Sequence, residues 1–253
     1  MQGFVRWQFV FVCFFPLTAA NADLPESIEQ IKPSVVAVGT YKATDSPAFT
    51  FRGTGFAFGN GNLIATNAHV LPEASNTPDA PKVVVLVSPN RNDRTIRPAK
   101  IRSQDVEHDL AVLHIDGPPL PPVKIGYPAT VKEGQAIAFT GFPIGGALGF
   151  SPVTHRGIVS SITPIALPGA HASQLSDARI RQIKRGTFDI FQLDATAYPG
   201  NSGSPVFDAT TGQVIGIVNM VFVKKSRESA LTQPSGISYA IPVNHLQSLN
   251  TRD

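Results

Sequence analysis

A stiff, tight turn holds two serines in the second half of this 253-residue chain. The stretch YPGNSGSPVF, from Tyr198 to Phe207, places Ser202 and Ser204 among two prolines, two glycines and an asparagine. Ordinary surface loops collect such residues because they suit unusual backbone angles. The other reading is that the turn presents one hydroxyl to a substrate, and the stretch alone leaves both readings open.

A serine hydroxyl is a weak nucleophile at neutral pH, so it needs a base, and the base needs a group to orient it. Among the six histidines, His69 stands out because it lies in IATNAHVL, where a predicted strand ends and an apolar run resumes. Asp109 opens the apolar stretch DLAVLHI, where a partly buried carboxylate needs a partner. Taken singly, His69 could be structural and Asp109 a cap. The other histidines, in polar flanks, loops or exposed faces, are His108, His114, His155, His171 and His245.

The chain order of these candidates changes their meaning. His69, Asp109 and Ser202 follow one of the known orders of a Ser-His-Asp triad. The histidine and the aspartate precede a proline-rich stretch and the serine follows it, so a triad would form in a cleft between two halves of the chain. Such a triad transfers an acyl group to serine, and it needs no metal ion and no cofactor.

Short strands are the elements that must position these residues. The 22 prolines and 21 glycines are scattered, which favours many short strands joined by tight turns. Asn60-Gly61 predicts a hairpin between strands at 53–58 and 63–66. Strand-like segments recur in both halves, and VNHLQSL predicts a short closing helix. We therefore expect an all-β fold of two packed six-stranded β-barrels with a short C-terminal helix.

Both ends of the first barrel have recognisable boundaries. The first residues combine an arginine, an apolar run and small residues, as a secretory signal peptide does, with cleavage after Ala20 or Ala22. Pro16 interrupts the run, which is too short to span a membrane. Four prolines between residues 118 and 122 cannot lie inside a sheet and indicate a linker. The expected organisation is a signal peptide at 1–22, an N-terminal barrel at 23–117, a linker at 118–126, and a C-terminal barrel with its closing helix at 127–253.

Composition excludes several other functions. Removal of the signal peptide would remove Cys13, the only cysteine, and with it any thiol nucleophile or cysteine zinc site. The formal net charge is +3, which is too small to predict nucleic acid as a partner. With the signal peptide removed, we expect a periplasmic or secreted protein without stable membrane insertion. The oligomeric state is not predicted, and the polar segment 166–186 is interpreted as an insertion in the second barrel.

Several motifs resemble those of a known family. TNAHV, HDLAVL and PGNSGSPV resemble the three catalytic motifs of the trypsin-like serine proteases, and GFPIGG, RGIVSSI, GQVIGI and AIPV are similar to the bacterial HtrA (Deg) branch. The resemblance implies a chymotrypsin-like fold and a secreted serine endopeptidase in which His69 is the base, Asp109 orients it and Ser202 is the nucleophile. HtrA proteins usually carry a PDZ domain after the protease, and we expect this chain to lack one because it stops at Asp253.

The same resemblance assigns binding roles. It implies an oxyanion hole made by the N–H groups of Gly200 and Ser202, with that of Asn201 nearby. With no carboxylate at the floor of the specificity pocket and a branched side chain at its entrance, we expect cleavage after small or medium aliphatic residues. The implied pocket residues are Thr196, Ala197, Val221 and Gly236.

Two other functions stay open at this point. A non-catalytic binding protein could use the same fold, because a fold does not determine a function. A latent protease could need a partner before it becomes active. Labelling by an active-site probe would separate these functions, because a binding protein would never react and a latent protease would react only with its effector.

Overall fold

The computed structural model describes residues 23–73, 77, 79–90, 93–145, 149–164, 188–219 and 236–250. The signal peptide expected at 1–22, the insertion expected at 166–186 and Val221 lie outside the described residues.

Twelve strands are the main regular elements of the described chain. The first set is β1 (Val35–Tyr41), β2 (Phe49–Phe58), β3 (Leu63–Thr66), β4 (Lys82–Asn90), β5 (Asp93–Asp105) and β6 (Leu110–Ile115). The second set is β7 (Ala136–Gly141), β8 (Val153–Pro164), β9 (Asp189–Asp194), β10 (Pro205–Asp208), β11 (Val214–Asn219) and β12 (Ile237–Pro242). Helix α1 (Leu24–Ile31) precedes the first set, and helix α2 (Asn244–Asn250) follows the second.

Each set of strands closes into an antiparallel barrel. The first barrel has the strand order β1-β2-β3-β6-β5-β4, and the second has the order β10-β11-β12-β9-β8-β7. This architecture confirms the predicted all-β fold of two six-stranded barrels with a short C-terminal helix. The predicted hairpin is also present, although β2 begins at Phe49, before its predicted start.

Turn residues place the hairpin as the sequence predicts. Gly61 has a φ of 86°, a left-handed conformation that glycine adopts without strain. There is also no space for a side chain at position 61, because a Cβ there would lie 2.2 Å from the carbonyl oxygen of Leu120. The Leu120 N–H in turn donates to the Gly61 carbonyl at 3.0 Å. The proline-rich stretch therefore packs directly on the β2–β3 turn.

The same stretch is tied to both barrels. The Val123 N–H donates to Ala57 in β2 at 2.9 Å, and the Val214 N–H at the start of β11 donates to the Lys124 carbonyl at 2.8 Å. Residues 116–124 form no strand, as expected where prolines remove backbone donors.

Three buried apolar clusters hold the fold together. One lies in the first barrel and includes Ile64, and another lies in the second and includes Phe139. The third combines residues of both barrels, among them Phe56 and Phe207, each fully buried. Burial of one such side chain stabilises the fold by about 1.5–3 kcal/mol. Because the third cluster is shared, it fixes the positions of the two barrels relative to each other.

Helix α2 contacts the first barrel through an aromatic stack. His245 of α2 stacks on His108 with ring centroids 4.0 Å apart, and Phe188 packs edge-on against His245 at 5.1 Å. Asp105 Oδ2 lies 2.8 Å from His108 Nδ1. The sequence predicted polar or exposed positions for both histidines, but the stack leaves them half-buried between α2 and the β5–β6 turn.

Acidic pH is expected to destabilise the fold through His245. Burial and the nearby His108 lower the pKa of His245 from 6.5 to about 4, although Asp105 acts in the opposite direction. In the unfolded chain this imidazole binds a proton below its ordinary pKa of 6.5, whereas in the folded chain it does so only near pH 4. Because protons then favour the unfolded state, the free energy of unfolding decreases as the pH falls from 6.5 to about 4. Urea unfolding should show that the free energy of unfolding decreases more between about pH 7 and about pH 5 in the wild type than in His245→Gln. Equal losses in the two proteins would contradict this assignment.

Candidate active site

His69 and Asp109 form a direct pair within the first barrel. His69 lies in the 3₁₀ turn Ala68–Val70 that follows β3, and Asp109 lies immediately before β6. Asp109 Oδ2 lies 2.6 Å from His69 Nδ1, while Oδ1 accepts a hydrogen bond from the His69 N–H at 2.8 Å. Both carboxylate oxygens thus hold the same residue, which fixes the direction of the imidazole ring.

The backbone of Asp109 is held in an unusual conformation. Its φ is 52°, a left-handed value that is uncommon outside glycine. Its carbonyl oxygen accepts hydrogen bonds from the Ala68 N–H at 3.1 Å and from Asn67 Nδ2 at 3.0 Å. The residues just before His69 therefore stabilise the conformation that aims the carboxylate at His69.

A side chain from the second barrel also binds Asp109. Asn219, the last residue of β11, is fully buried, and its Nδ2 donates to Asp109 Oδ2 at 2.7 Å. Sequence reasoning missed this residue. The available signal was a polar residue at the end of the apolar strand VIGIVN, because a buried amide requires hydrogen-bond partners.

Strand β2 of the first barrel holds the turn that carries Ser202. The Thr54 N–H donates to the Ser202 carbonyl at 2.8 Å, and Thr54 Oγ1 donates to the Gly200 carbonyl at 2.7 Å. A Cβ on Gly53 would lie 2.6 Å from Val70 Cγ2 and 3.1 Å from the Ser202 carbonyl oxygen. The backbone of Ser202 therefore lies against the turn that carries His69, and all three predicted catalytic residues lie where the barrels meet.

The turn before Ser202 leaves two N–H groups available. Gly200 has a φ of 102°, and within the described part of the chain no acceptor takes the N–H of Gly200 or of Ser202. The Asn201 N–H is different, because it donates to the Tyr198 carbonyl at 2.9 Å. Gly200 and Ser202 can thus offer two N–H donors to a developing oxyanion, while the Asn201 N–H is engaged within the turn.

The described pocket residues lie together beside this turn. Thr196 and Ala197 follow β9, and Gly236 immediately precedes β12. The Gly236 carbonyl accepts the N–H of Ala195 at 2.9 Å. Ser238, which is buried, donates from Oγ to the Ala195 carbonyl at 2.7 Å and accepts the Ala197 N–H at 3.0 Å. Sequence reasoning missed Ser238, which attaches the segment containing Thr196 to β12.

One carboxylate lies close to these pocket residues. Asp194 at the end of β9 is exposed, and its Oδ1 lies 3.9 Å from the position that a Cβ on Gly236 would occupy. Asp194 lies two residues before Thr196 and is not one of the predicted pocket residues. Its position makes it the side chain to vary when the charge preference of the pocket is tested.

The described residues contain no group of three or more His, Cys, Asp or Glu side chains that could hold a metal ion. Among the same residues, no helix is long and apolar enough to cross a membrane.

Two barrels of this topology, with histidine, aspartate and serine at their junction, define the class of trypsin-like serine proteases. A family model described as "Trypsin-like peptidase domain" matches residues 53–217. The chain therefore belongs to the trypsin-like peptidase family.

Similar curated proteins include serine proteases of a bacterium and of a plant. A "Probable periplasmic serine endoprotease DegP-like" of Pseudomonas putida is 31% identical over 193 residues, which are 76% of this chain and 32% of the relative. "Protease Do-like 1, chloroplastic" of Arabidopsis thaliana is 32% identical over 222 residues, which are 84% of this chain and 43% of the relative. The matched part of the chain thus spans less than half of the length of each of these relatives.

A solved structure agrees with this relationship. The "HtrA-type protease AlgW with tripeptide" superposes with a TM-score of 0.62 and 26% sequence identity, covering 90% of this chain and 62% of that one. The predicted family and its HtrA branch are therefore confirmed.

Proposed function

We propose that this chain is a serine endopeptidase in which His69, Asp109 and Ser202 form the catalytic triad. The observation that supports this most is the 2.6 Å contact between His69 Nδ1 and Asp109 Oδ2. An imidazole held by Nδ1 presents Nε2 as the base, and the aspartate stabilises the charged ring that forms during the reaction.

In the proposed mechanism, the Ser202 hydroxyl attacks the carbonyl carbon of the scissile peptide bond. His69 takes the hydroxyl proton and then delivers it to the departing amine, which leaves an acyl-enzyme on Ser202. Water then hydrolyses the ester, with His69 again as the base. The N–H groups of Gly200 and Ser202 stabilise the oxyanion, and each such donor is worth about 3 kcal/mol in the transition state.

The proposal extends to organisation and location. We assign a signal peptide at 1–22, barrels at 23–117 and 127–253, and a linker at 118–126. The mature protein acts in the periplasm or outside the cell, and the name "periplasmic" given to the Pseudomonas putida relative supports this. Its substrates are proteins or peptides, in agreement with the tripeptide named for the similar solved structure.

A fluorophosphonate probe tests the proposed triad, because it reacts only with an activated serine. Rapid, stoichiometric labelling of Ser202, located by peptide mapping, is the expected result. Absence of labelling under all conditions would instead indicate a binding protein. Labelling only in the presence of peptide or protein effectors would indicate a latent protease.

Cleavage is expected after Ala, Val, Ile or Leu, and not after Lys or Arg. A cation buried without an opposite charge is strongly disfavoured, while each methylene that fits an apolar pocket contributes about 1 kcal/mol or more. Digestion of a whole proteome followed by mass spectrometry would give the cleavage profile. We also expect Val221→Gly to admit larger residues such as Phe, because it removes the branched side chain from the proposed entrance.

A substitution of Asp194 provides the control for the expected preference for aliphatic residues. Asp194→Asn removes the carboxylate near Gly236 and should leave an aliphatic profile unchanged. A wild-type profile dominated by Lys and Arg that disappears in Asp194→Asn would overturn the proposed pocket and assign its charge to Asp194.

A further inference from the structure

Arg52 is the extra residue in a β-bulge of β2. Val38 of β1 pairs with Gly53 and Gly39 pairs with Phe51, so Arg52 has no partner in the pairing of β1 with β2. A bulge of this kind bends its strand and redirects a side chain. In this chain it directs the Arg52 guanidinium towards the turn that carries His69.

The guanidinium binds two carbonyl groups that directly follow His69. Arg52 Nε donates to the Val70 carbonyl at 2.5 Å, and Nη2 donates to the Leu71 carbonyl at 3.1 Å. Hydrogen bonds with a charged donor are about twice as strong as neutral ones, and a planar fork also restricts geometry. In the described ranges no carboxylate lies within ion-pairing distance of Arg52, so its guanidinium is held there by the carbonyls of Val70 and Leu71.

The same strand holds the nucleophile turn. Two residues beyond Arg52, Thr54 binds the carbonyls of Gly200 and Ser202. Residues 52–54 thus connect the His69 turn to the Ser202 turn. Arg52 binds the His69 turn through its guanidinium, and Thr54 binds the Ser202 turn through its backbone N–H and its hydroxyl. The position of the His69 turn relative to Ser202 therefore depends on both residues.

We propose that Arg52 is a positioning residue for His69, holding the histidine turn in a fixed position relative to the turn that carries Ser202. The inference rests on the proposed function. Arg52 touches neither the His69 ring nor the reacting atoms, and it acts through the Val70 and Leu71 carbonyls. Since proton transfer requires hydrogen-bond reach between base and nucleophile, a displaced turn slows acylation even when the triad residues are intact.

Arg52→Lys is the variant that tests this role, because lysine keeps the charge but lacks the planar fork. Small displacements of catalytic groups cost up to about 100-fold in rate, so kcat should fall about 10-fold or more with little change in KM. The second-order rate of fluorophosphonate labelling should fall by a similar factor. Active-site titration and thermal unfolding would show that the measured protein is folded.

Arg97→Lys is the matched control. The Arg97 guanidinium also binds backbone carbonyls, with Nη1 donating to Pro118 at 2.9 Å and Nε donating to Asp116 at 3.0 Å. It lies on β5, and none of its hydrogen bonds within the described residues reaches a residue of the proposed active site. The substitution removes the same kind of fork, so it should lower thermal stability without lowering kcat or the labelling rate.

A spectroscopic measurement separates positioning from stability. The low-field proton resonance of His69 Nδ1–H reports the hydrogen bond to Asp109, and we expect it to shift or broaden in Arg52→Lys but not in Arg97→Lys. Unchanged kcat, labelling rate and resonance in Arg52→Lys would overturn the inference. An increase in KM alone, with normal labelling, would also overturn it and make Arg52 a substrate contact. Failure of the wild type to label would instead refute the proposed function.

Discussion

Ser202→Ala is expected to abolish peptide hydrolysis while leaving the fold intact. Removal of the nucleophile from a serine protease triad costs about 10⁶-fold in kcat. Within the described part of the chain Ser202 Oγ makes no hydrogen bond, and the contact that fixes its turn uses the Ser202 backbone carbonyl. Hydrolysis of a peptide substrate, with circular dichroism and thermal unfolding as checks on folding, would measure the effect.

Ser204→Ala is the matched control for this experiment. Ser204 lies in the same turn and is fully buried, and its Oγ has no hydrogen-bond partner among the described residues. Its removal should leave most of the activity. If Ser204→Ala were inactive and Ser202→Ala active, the nucleophile would be the other serine of the turn.

The triad should also behave as a single unit. His69→Ala is expected to lower kcat by about as much as Ser202→Ala does. The double variant should have a kcat no lower than that of either single variant, because each change alone removes the same reaction path. Multiplicative losses in the double variant would show that the two residues act independently.

Asp109→Asn is expected to lower kcat by about 10⁴-fold while the protein stays folded. Asp109 Oδ2 interacts with His69 Nδ1 and accepts from Asn219 Nδ2. An asparagine would place its NH₂ group either at the Oδ2 position, where it faces both His69 Nδ1 and the donor Asn219 Nδ2, or at the Oδ1 position, where it faces the donor N–H of His69. Neither arrangement keeps the proton on His69 Nδ1 with all partners satisfied. Steady-state kinetics and the loss of the low-field Nδ1 proton resonance would measure the change.

Asp105→Asn provides a matched control, since the chain contains a second aspartate–histidine contact. Asp105 Oδ2 lies 2.8 Å from His108 Nδ1. Burial alone would raise the pKa of Asp105, but hydrogen bonds from the His108 N–H and ring and from the Glu107 N–H lower it overall. The substitution should weaken the stack on His245 and reduce stability, with kcat per folded molecule almost unchanged. Comparable losses of kcat in both variants would contradict the role assigned to Asp109.

Local signals in the sequence were enough to predict the fold. The Asn60-Gly61 turn, the proline stretch and the recurring short strands each depend on residues close together in the chain, so they can be interpreted without coordinates. The triad candidates could be selected because His69 and Asp109 lie beside apolar stretches, Ser202 lies in a turn rich in glycine and proline, and the three follow a known triad order. Their catalytic roles stay predictions until the variants above are measured.

Only the tertiary structure decided which further side chains support these candidates. The contact between Asn219 and Asp109 spans 110 residues, and the fork of Arg52 depends on a bulge that shifts the pairing of β1 and β2. Neither has a local periodic signal, because both arise when two closed barrels bring separate strand ends together. The sequence by itself therefore determined the barrels and the chemical types at their junction, whereas close packing between the barrels decided the partners and distances of those residues.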